Sequence, residues 1–220
     1  MYPLPYILQN KNNNPNPTWK NHTGTTSKLF PSNTALSDYS LQLANPTNGK
    51  QIWTIMNEVY TTLSDKSLFC CDEYDFVMDI LECSGFGVVA STNNTPIKKD
   101  DTSAISKSAN IVASLLVKFP RLAEENLGYD IGLEKEELCK VAHLESVVVL
   151  PKHRGYGLQG KLISFAEQQI DKTQYSYLMA TVSPDNLPSL RTFQKNGYEI
   201  IKVTEKYGGL KRCILLKKHI

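Results

Sequence analysis

No stretch of the chain approaches the roughly 18 consecutive apolar residues that a membrane-spanning helix needs; apolar runs are as short as Val147 to Leu150. Its first residues, MYPLPYILQNKNNN, lack a basic start followed by an apolar segment, which argues against a secretory signal and makes the cytoplasm the expected location. A marked excess of either charge is also missing. Lys plus Arg number 24 against 22 Asp plus Glu, and the basic residues are scattered, so a broad nucleic-acid footprint is not expected. The five cysteines are odd in number, form no Cys-x-x-Cys pair and have no histidines at metal-ligand spacing, so neither a metal site nor a disulfide framework is expected. They read as buried free thiols. What is present is ordinary: 41% hydrophobic and 21% charged residues are values of a globular chain, and 220 residues suit one domain.

Residues 1 to 37 are rich in Asn, Pro, Thr and Ser and carry too little apolar surface to offset their ordering entropy, so they read as an extension preceding a domain over 38–220. Tyr2, Tyr6, Trp19 and Phe30 could pin it down. From Tyr39 the alternation of SLQLA predicts a strand, and Ile52, Ile55, Met56 and Val59 recur at helical spacing. Asp72 is the expected cap of a second helix ending before Gly85. FGVVA and NIVASLLVKFP then read as antiparallel strands joined by a polar hairpin loop, and AHLESVVVLP as the fourth strand. Leu158, Leu162, Phe165, Ala166 and Ile170 share one face of the following helix, before the strand YSYLMATV. Strand, helix and strand in this order imply a parallel crossover. A short helix through NLPSLRTFQKN and two last strands complete a mixed α/β fold, and the final strand, if exposed, could pair across a homodimer.

The segment that carries chemistry is VVVLPKHRGYGLQGKLI. A strand ends at Pro151, and Gly155, Gly157 and Gly160 open a helix. Unpaired amides at a helix start point outward with the positive end of the helix dipole, an arrangement able to cradle a pyrophosphate. Alone, the glycines also suit a plain tight turn. They match Gly-x-Gly-x-x-Gly of nicotinamide dinucleotide sites too, but Asp171 ends the helix instead of following a second strand, and the crossover lies late in the chain.

Arg154-Gly155-Tyr156-Gly157-Leu158-Gln159 resembles the phosphate loop of the GNAT superfamily of acyl-CoA N-acyltransferases, Gln/Arg-x-x-Gly-x-Gly/Ala. It departs at Gln159, beside Gly160. The stretch from Val182 through Asn186 to Asn196-Gly197-Tyr198 resembles the family's second signature. Together the two cover roughly 142–200. The resemblance implies a central, mostly antiparallel mixed sheet flanked by helices, with strands four and five splayed around acetyl-CoA. By it, Val147, Val148 and Val149 line the pantetheine cleft, Arg154, Gly155, Tyr156, Gly157, Leu158, Gln159 and Gly160 hold the pyrophosphate, and Asn186, Ser189 and Phe193 contact the cofactor from the second signature. It implies no metal, and transfer of an acetyl group to a primary amine of a small molecule or peptide.

Such a transfer needs the neutral amine, which for a pKa near 10.4 is under about 0.1% of the population at pH 7. A base would help. His143 and Glu145, two apart on strand four, share a face, and Glu145 is the first choice. The family's acid, a tyrosine seven positions after the signature Asn, is Phe193 here, and its other base position, five before the Asn, is Thr181. Tyr177, Tyr198 and Tyr207 are alternative donors, and a thiolate with a pKa near 8.5 can leave without one. The missing pair keeps a second reading in view, an acyl-CoA-binding regulatory module with reduced catalysis. Glu124, Glu125, Glu134, Glu136 and Glu137 read as a solvated acidic face, with attraction of a cationic acceptor as the alternative.

Overall fold

The computed structural model describes residues 39–92 and 110–219. The amino-terminal extension and most of the predicted hairpin loop lie outside these residues.

Seven strands form one sheet in the order β1-β2-β3-β4-β5-β7-β6. β1 is Tyr39–Leu43, β2 Gly85–Thr92, β3 Asn110–Lys118, β4 Val141–Val149, β5 Tyr177–Val182, β6 Glu199–Lys206 and β7 Leu210–Lys218. Every neighbouring pair is antiparallel except β4 and β5, which run parallel as the crossover through the intervening helix requires. The β4–β5 ladder holds only at Val141–Tyr177, Ala142–Leu178 and His143–Met179. Beyond these residues the strands part, and the gap becomes the site.

Helices cover both faces. α1 (Gly49–Thr62) buries Ile52, Ile55, Met56 and Val59, the four residues whose spacing predicted it, against Val89, Ile111, Leu116 and Val148. α2 (Tyr74–Asp79) adds Val77 to the same layer and runs on through a wider turn, Ile80–Ser84, to Gly85. α3 (Lys135–Leu138) is a single turn. On the other face α4 (Leu158–Gln169) buries Leu158, Leu162, Ile163 and Ala166, and α5 (Leu187–Lys195) adds Leu190 and Phe193. Phe165, expected on the inner face of α4, is only partly buried, and Ile163 takes its place in the core.

Two expectations are overturned by the topology. The last strand is not an edge: β7 lies between β5 and β6, so among the described residues the sheet ends in β6 on this side and β1 on the other, with Ile200, Ile201 and Val203 of β6 exposed. Asp72 does not cap α2. Glu73 occupies the cap position without a side-chain hydrogen bond, and the Asp72 carboxylate instead accepts the hydroxyl proton of Ser146 on β4.

Candidate functional site

β4 carries a bulge. Leu116 pairs with Glu145 and Ser114 with Val148, so Ser146 and Val147 together oppose the single residue Leu115, and Ser146 takes the left-handed backbone at φ 46°. An extra residue reverses which side chains face which layer. Before it, Ala142 and Leu144 point to the α4 side and His143 and Glu145 to the other. After it, Val147 and Val149 turn to the α4 side while Val148, 3% exposed, packs under α1. The three valines therefore do not play one role, although all three border the groove at the parting of the strands.

That groove encloses about 530 Å3 and is lined by Val147, Val149, Arg154, Gly155, Gly157, Leu158 and Gln159 on one side and by Asn186, Pro188, Ser189 and Thr192 on the other. Gly155 and Gly157 sit at φ 87° and 72°, and a Cβ at either would meet nothing within 4 Å. The backbone angle demands glycine there, and the space above stays open for a ligand. Lys161 N–H makes a 3.1 Å bond back to Gly157 O, so the amides ahead of it belong to the unpaired first turn of α4. Arg154 is held over the strand end by Nε donating to Val149 O at 3.1 Å.

The departure at Gln159 has a visible use. Its Nε2 donates to Ser189 Oγ at 2.8 Å, tying the phosphate turn to α5 across the groove. Asn186 caps α5 by accepting from Ser189 N–H at 3.3 Å and borders the groove as well, so its cap role and its expected ligand role coexist. Three members of the expected cofactor set lie away from the groove. Tyr156 packs its ring on Tyr39, 6.0 Å between centroids, and Gly160 borders a separate hollow with Lys161, Ser164 and Gln168. Phe193 faces the neighbouring cavity instead, 2% exposed and edge-on to Tyr198.

That second cavity, about 470 Å3, adjoins the groove through Leu68, Phe69, Val147, Asn186 and Ser189. Glu145, Asp72, Cys70, Thr181, Tyr207 and Arg212 meet in it. His143 lies behind Glu145, 1% exposed. Its Nε2 accepts the Leu127 N–H at 3.1 Å, which places the ring proton on Nδ1, 3.1 Å from Glu145 Oε1. Both ring nitrogens are thus engaged. His143 orients the carboxylate, and Glu145, 22% exposed at its side chain, is the one that reaches the cavity.

Asp72 is the second carboxylate. Burial pushes its pKa up to about 6, opposed by the Ser146 hydroxyl and reinforced by the charge of Glu145. Of the three candidate tyrosines, one enters the cavity. Tyr177, at the start of β5 and away from the cavity, donates to Glu137 Oε1 at 2.6 Å, and Tyr198 is sealed in the core, where burial drives its pKa far up. Tyr207 lies in the β6–β7 turn at φ 52°, its hydroxyl 2.9 Å from Thr181 Oγ1. Although the residue is 46% exposed, desolvation of the hydroxyl and the nearby Glu145 charge raise its pKa. Thr181, at the family's vacant base position, therefore holds a phenol in place.

One other sequence expectation changes here. Only Cys213 of the five thiols is buried; Cys70 lines the cavity, with its pKa raised by burial and by Asp72, so it stays a thiol. The acidic face is solvated as expected, with Glu124, Glu125, Glu134 and Glu136 exposed, although Glu125 also borders the cavity and meets Lys118 Nζ at 2.9 Å. Arg212 is absent from the residues singled out in the sequence. A charged residue inside the apolar run of β7 is the available signal, because an arginine 3% exposed in a strand interior must face something polar. Among the described residues no cluster of His, Cys, Asp and Glu suits a metal ion, and no helix is long and apolar enough to cross a membrane.

Residues 125–198 match the model of the Acetyltransferase (GNAT) family, the segment that holds both signatures and the bulged strand. No curated protein matches the chain. Among solved structures, yncA from Salmonella typhimurium, a putative acetyltransferase with acetyl-CoA, is similar with a TM-score of 0.57 at 14% identity, over 82% of this chain and 94% of that one. NAA60 from Arabidopsis thaliana with a bisubstrate analogue gives 0.61 at 11% identity, over 82% and 97%. The aminoglycoside acetyltransferase AAC(6')-Ib with coenzyme A and kanamycin gives 0.57 at 13% identity, over 82% and 94%. The chain has the GNAT acetyltransferase fold, and its 125–198 segment carries that family's pattern.

Proposed function

We propose that the protein transfers the acetyl group of acetyl-CoA to a primary amine of a small molecule or peptide, directly and within a ternary complex. The observation that carries this reading is adjacency: the groove bordered by the open glycine turn at α4 shares Leu68, Phe69, Val147, Asn186 and Ser189 with the cavity that holds Glu145. The amides at the α4 start and Arg154 suit a pyrophosphate, and the parted β4 and β5 leave room for the pantetheine arm beside Val147 and Val149. Similar structures with acetyl-CoA or coenzyme A bound support the same ligand.

Glu145, steadied by the Nδ1–H of His143, accepts a proton from the incoming ammonium. The neutral nitrogen then attacks the thioester carbonyl; an N–C bond forms, the C–S bond breaks, the nitrogen gives up its second proton to solvent as the amide forms, and the departing sulfur takes a proton from a donor that solvent re-protonates. Tyr207 is placed to give it, since its phenol remains protonated through neutral pH. The missing tyrosine at Phe193 is thereby replaced from another element.

Phe193 and Thr181 also support the second reading, an acyl-CoA-binding regulatory module. Calorimetric titration of acetyl-CoA, followed by turnover with a panel of amines, separates the two. Micromolar binding with turnover abolished by Glu145→Gln supports the transferase, binding without turnover supports the module, and no binding at millimolar acetyl-CoA removes both.

A further inference from the structure

The cavity beside Glu145 contains a cation that the transfer chemistry does not use. Thr181 pairs with Ile214 and Val182 with Cys213 across β5 and β7, so Arg212 lies on the same sheet face as Ile214, Thr181 and Met179. Through the His143–Met179 pair that face is also the one carrying His143 and Glu145. Arg212 and Glu145 therefore look into one chamber, and both line it.

The guanidinium is 3% exposed. Nη1 donates to Lys211 O at 2.9 Å, and the Tyr207 ring lies 5.8 Å from the guanidinium carbon. Nη2 is buried without any hydrogen-bond partner, the sole cationic nitrogen of that kind among the described residues. The other cations at the cavity wall are already engaged: Lys118 with Glu125 at 2.9 Å, and Lys206 with Asp130 at 2.5 Å. A buried guanidinium with an idle donor is costly unless something anionic completes it, and its fork matches a carboxylate.

We infer that the acceptor amine belongs to a free amino acid, whose carboxylate Arg212 binds while its ammonium faces Glu145. This rests on the acetyl-transfer reading above. A cavity of about 470 Å3 suits an amino acid together with the thioester end. A zwitterion also matches the lining, with an anionic base for the ammonium and the unpartnered Nη2 for the acid. A polycationic acceptor would set a further positive charge against Arg212, and a peptide amino terminus would bring an uncharged amide there.

The test uses the full chain with acetyl-CoA, the twenty protein amino acids, their α-carboxamides and a set of tripeptide amides, with released thiol as the readout. At least one amino acid should turn over with a KM about 10- to 100-fold below that of its carboxamide, the range expected for a hydrogen-bonded charge pair. Arg212→Met should erase that difference while the calorimetric affinity for acetyl-CoA stays within about twofold, the scatter of such a comparison. Arg212→Lys, which keeps the charge but loses the fork, should fall between them and serves as the informative variant if the Met form does not fold. Acetyl-CoA binding with no amino acid turned over, carboxamides or tripeptide amides used as well as the acids, or an unchanged acid KM in the Arg212 variants overturns the inference. Loss of the underlying reading looks different: acetyl-CoA does not bind at all.

Discussion

Nδ1 of His143 lies 3.1 Å from Oε1 of Glu145, while Nε2 of the same ring accepts the amide proton of Leu127. The two bonds make the imidazole a fixed strut between a loop amide and a carboxylate. A protonated ring would turn an Nε2–H toward the Leu127 N–H, so this arrangement favours Glu145 over His143 as the group that meets the substrate's proton. Glu145→Gln should therefore lower kcat by about 100- to 10,000-fold, the usual contribution of a positioned base. His143→Ala should cost less, on the order of 10-fold, because the carboxylate remains but wanders. Steady-state kinetics with an unchanged KM for acetyl-CoA checks both.

Gly157 and Gly132 form a matched pair for testing the phosphate turn. Both have left-handed backbones, at φ 72° and 71°, and at neither does any atom lie within 4 Å of the place a Cβ would occupy. Alanine at either should cost a similar amount of stability, about 1–2 kcal/mol, from backbone strain alone. Only Gly157→Ala should weaken acetyl-CoA binding, by about 10-fold or more, since it alone borders the groove. Thermal unfolding and calorimetry on the two variants check it; equal affinities would remove the turn from the site.

Tyr207→Phe keeps the ring beside Arg212 and deletes only the hydroxyl that meets Thr181. kcat should fall about 10- to 100-fold with acetyl-CoA affinity preserved. Because burial raises the pKa of this phenol, activity should not decline from its ionisation between pH 8 and about 10. A rate insensitive to the substitution would mean that the thiolate leaves unassisted.

Asp72 links stability to pH in the opposite sense to a salt-bridged carboxylate. Its pKa rises from 3.8 to about 6 on folding, so between those values the native chain holds a proton that the unfolded chain has released. Stability from this group is fully present below pH 3.8, declines as pH rises toward 6, and is flat above. Its size is at most about 3 kcal/mol, less whatever solvent in the cavity screens. Urea unfolding of the protein and Asp72→Asn at pH 4, 5, 6 and 7 should converge at the acidic end, with the variant the more stable at pH 7.

The helical repeat of Ile52, Ile55, Met56 and Val59 and the apolar alternation of the strands are enough to place nearly every element, because each buries one face and periodicity records which face. The glycine turn is legible for a similar local reason: residues six apart in sequence build it. Asp72 misleads because the same residue type before a helix suits a cap, and only the approach of Ser146, far along the chain, shows where its carboxylate goes. Tyr207 is one of three equivalent tyrosines until the sheet places its hydroxyl against Thr181.

Sequence alone determined the sheet-and-helix order and the glycine turn ahead of α4, since these depend on neighbours within a few residues. Tertiary structure alone decided that His143 lies behind Glu145 with both ring nitrogens engaged, that β7 is interior, and that Asp72, Tyr207 and Arg212 meet in one cavity. Strand order and the bulge in β4 bring those groups together, and neither leaves a periodic trace in the residues it affects.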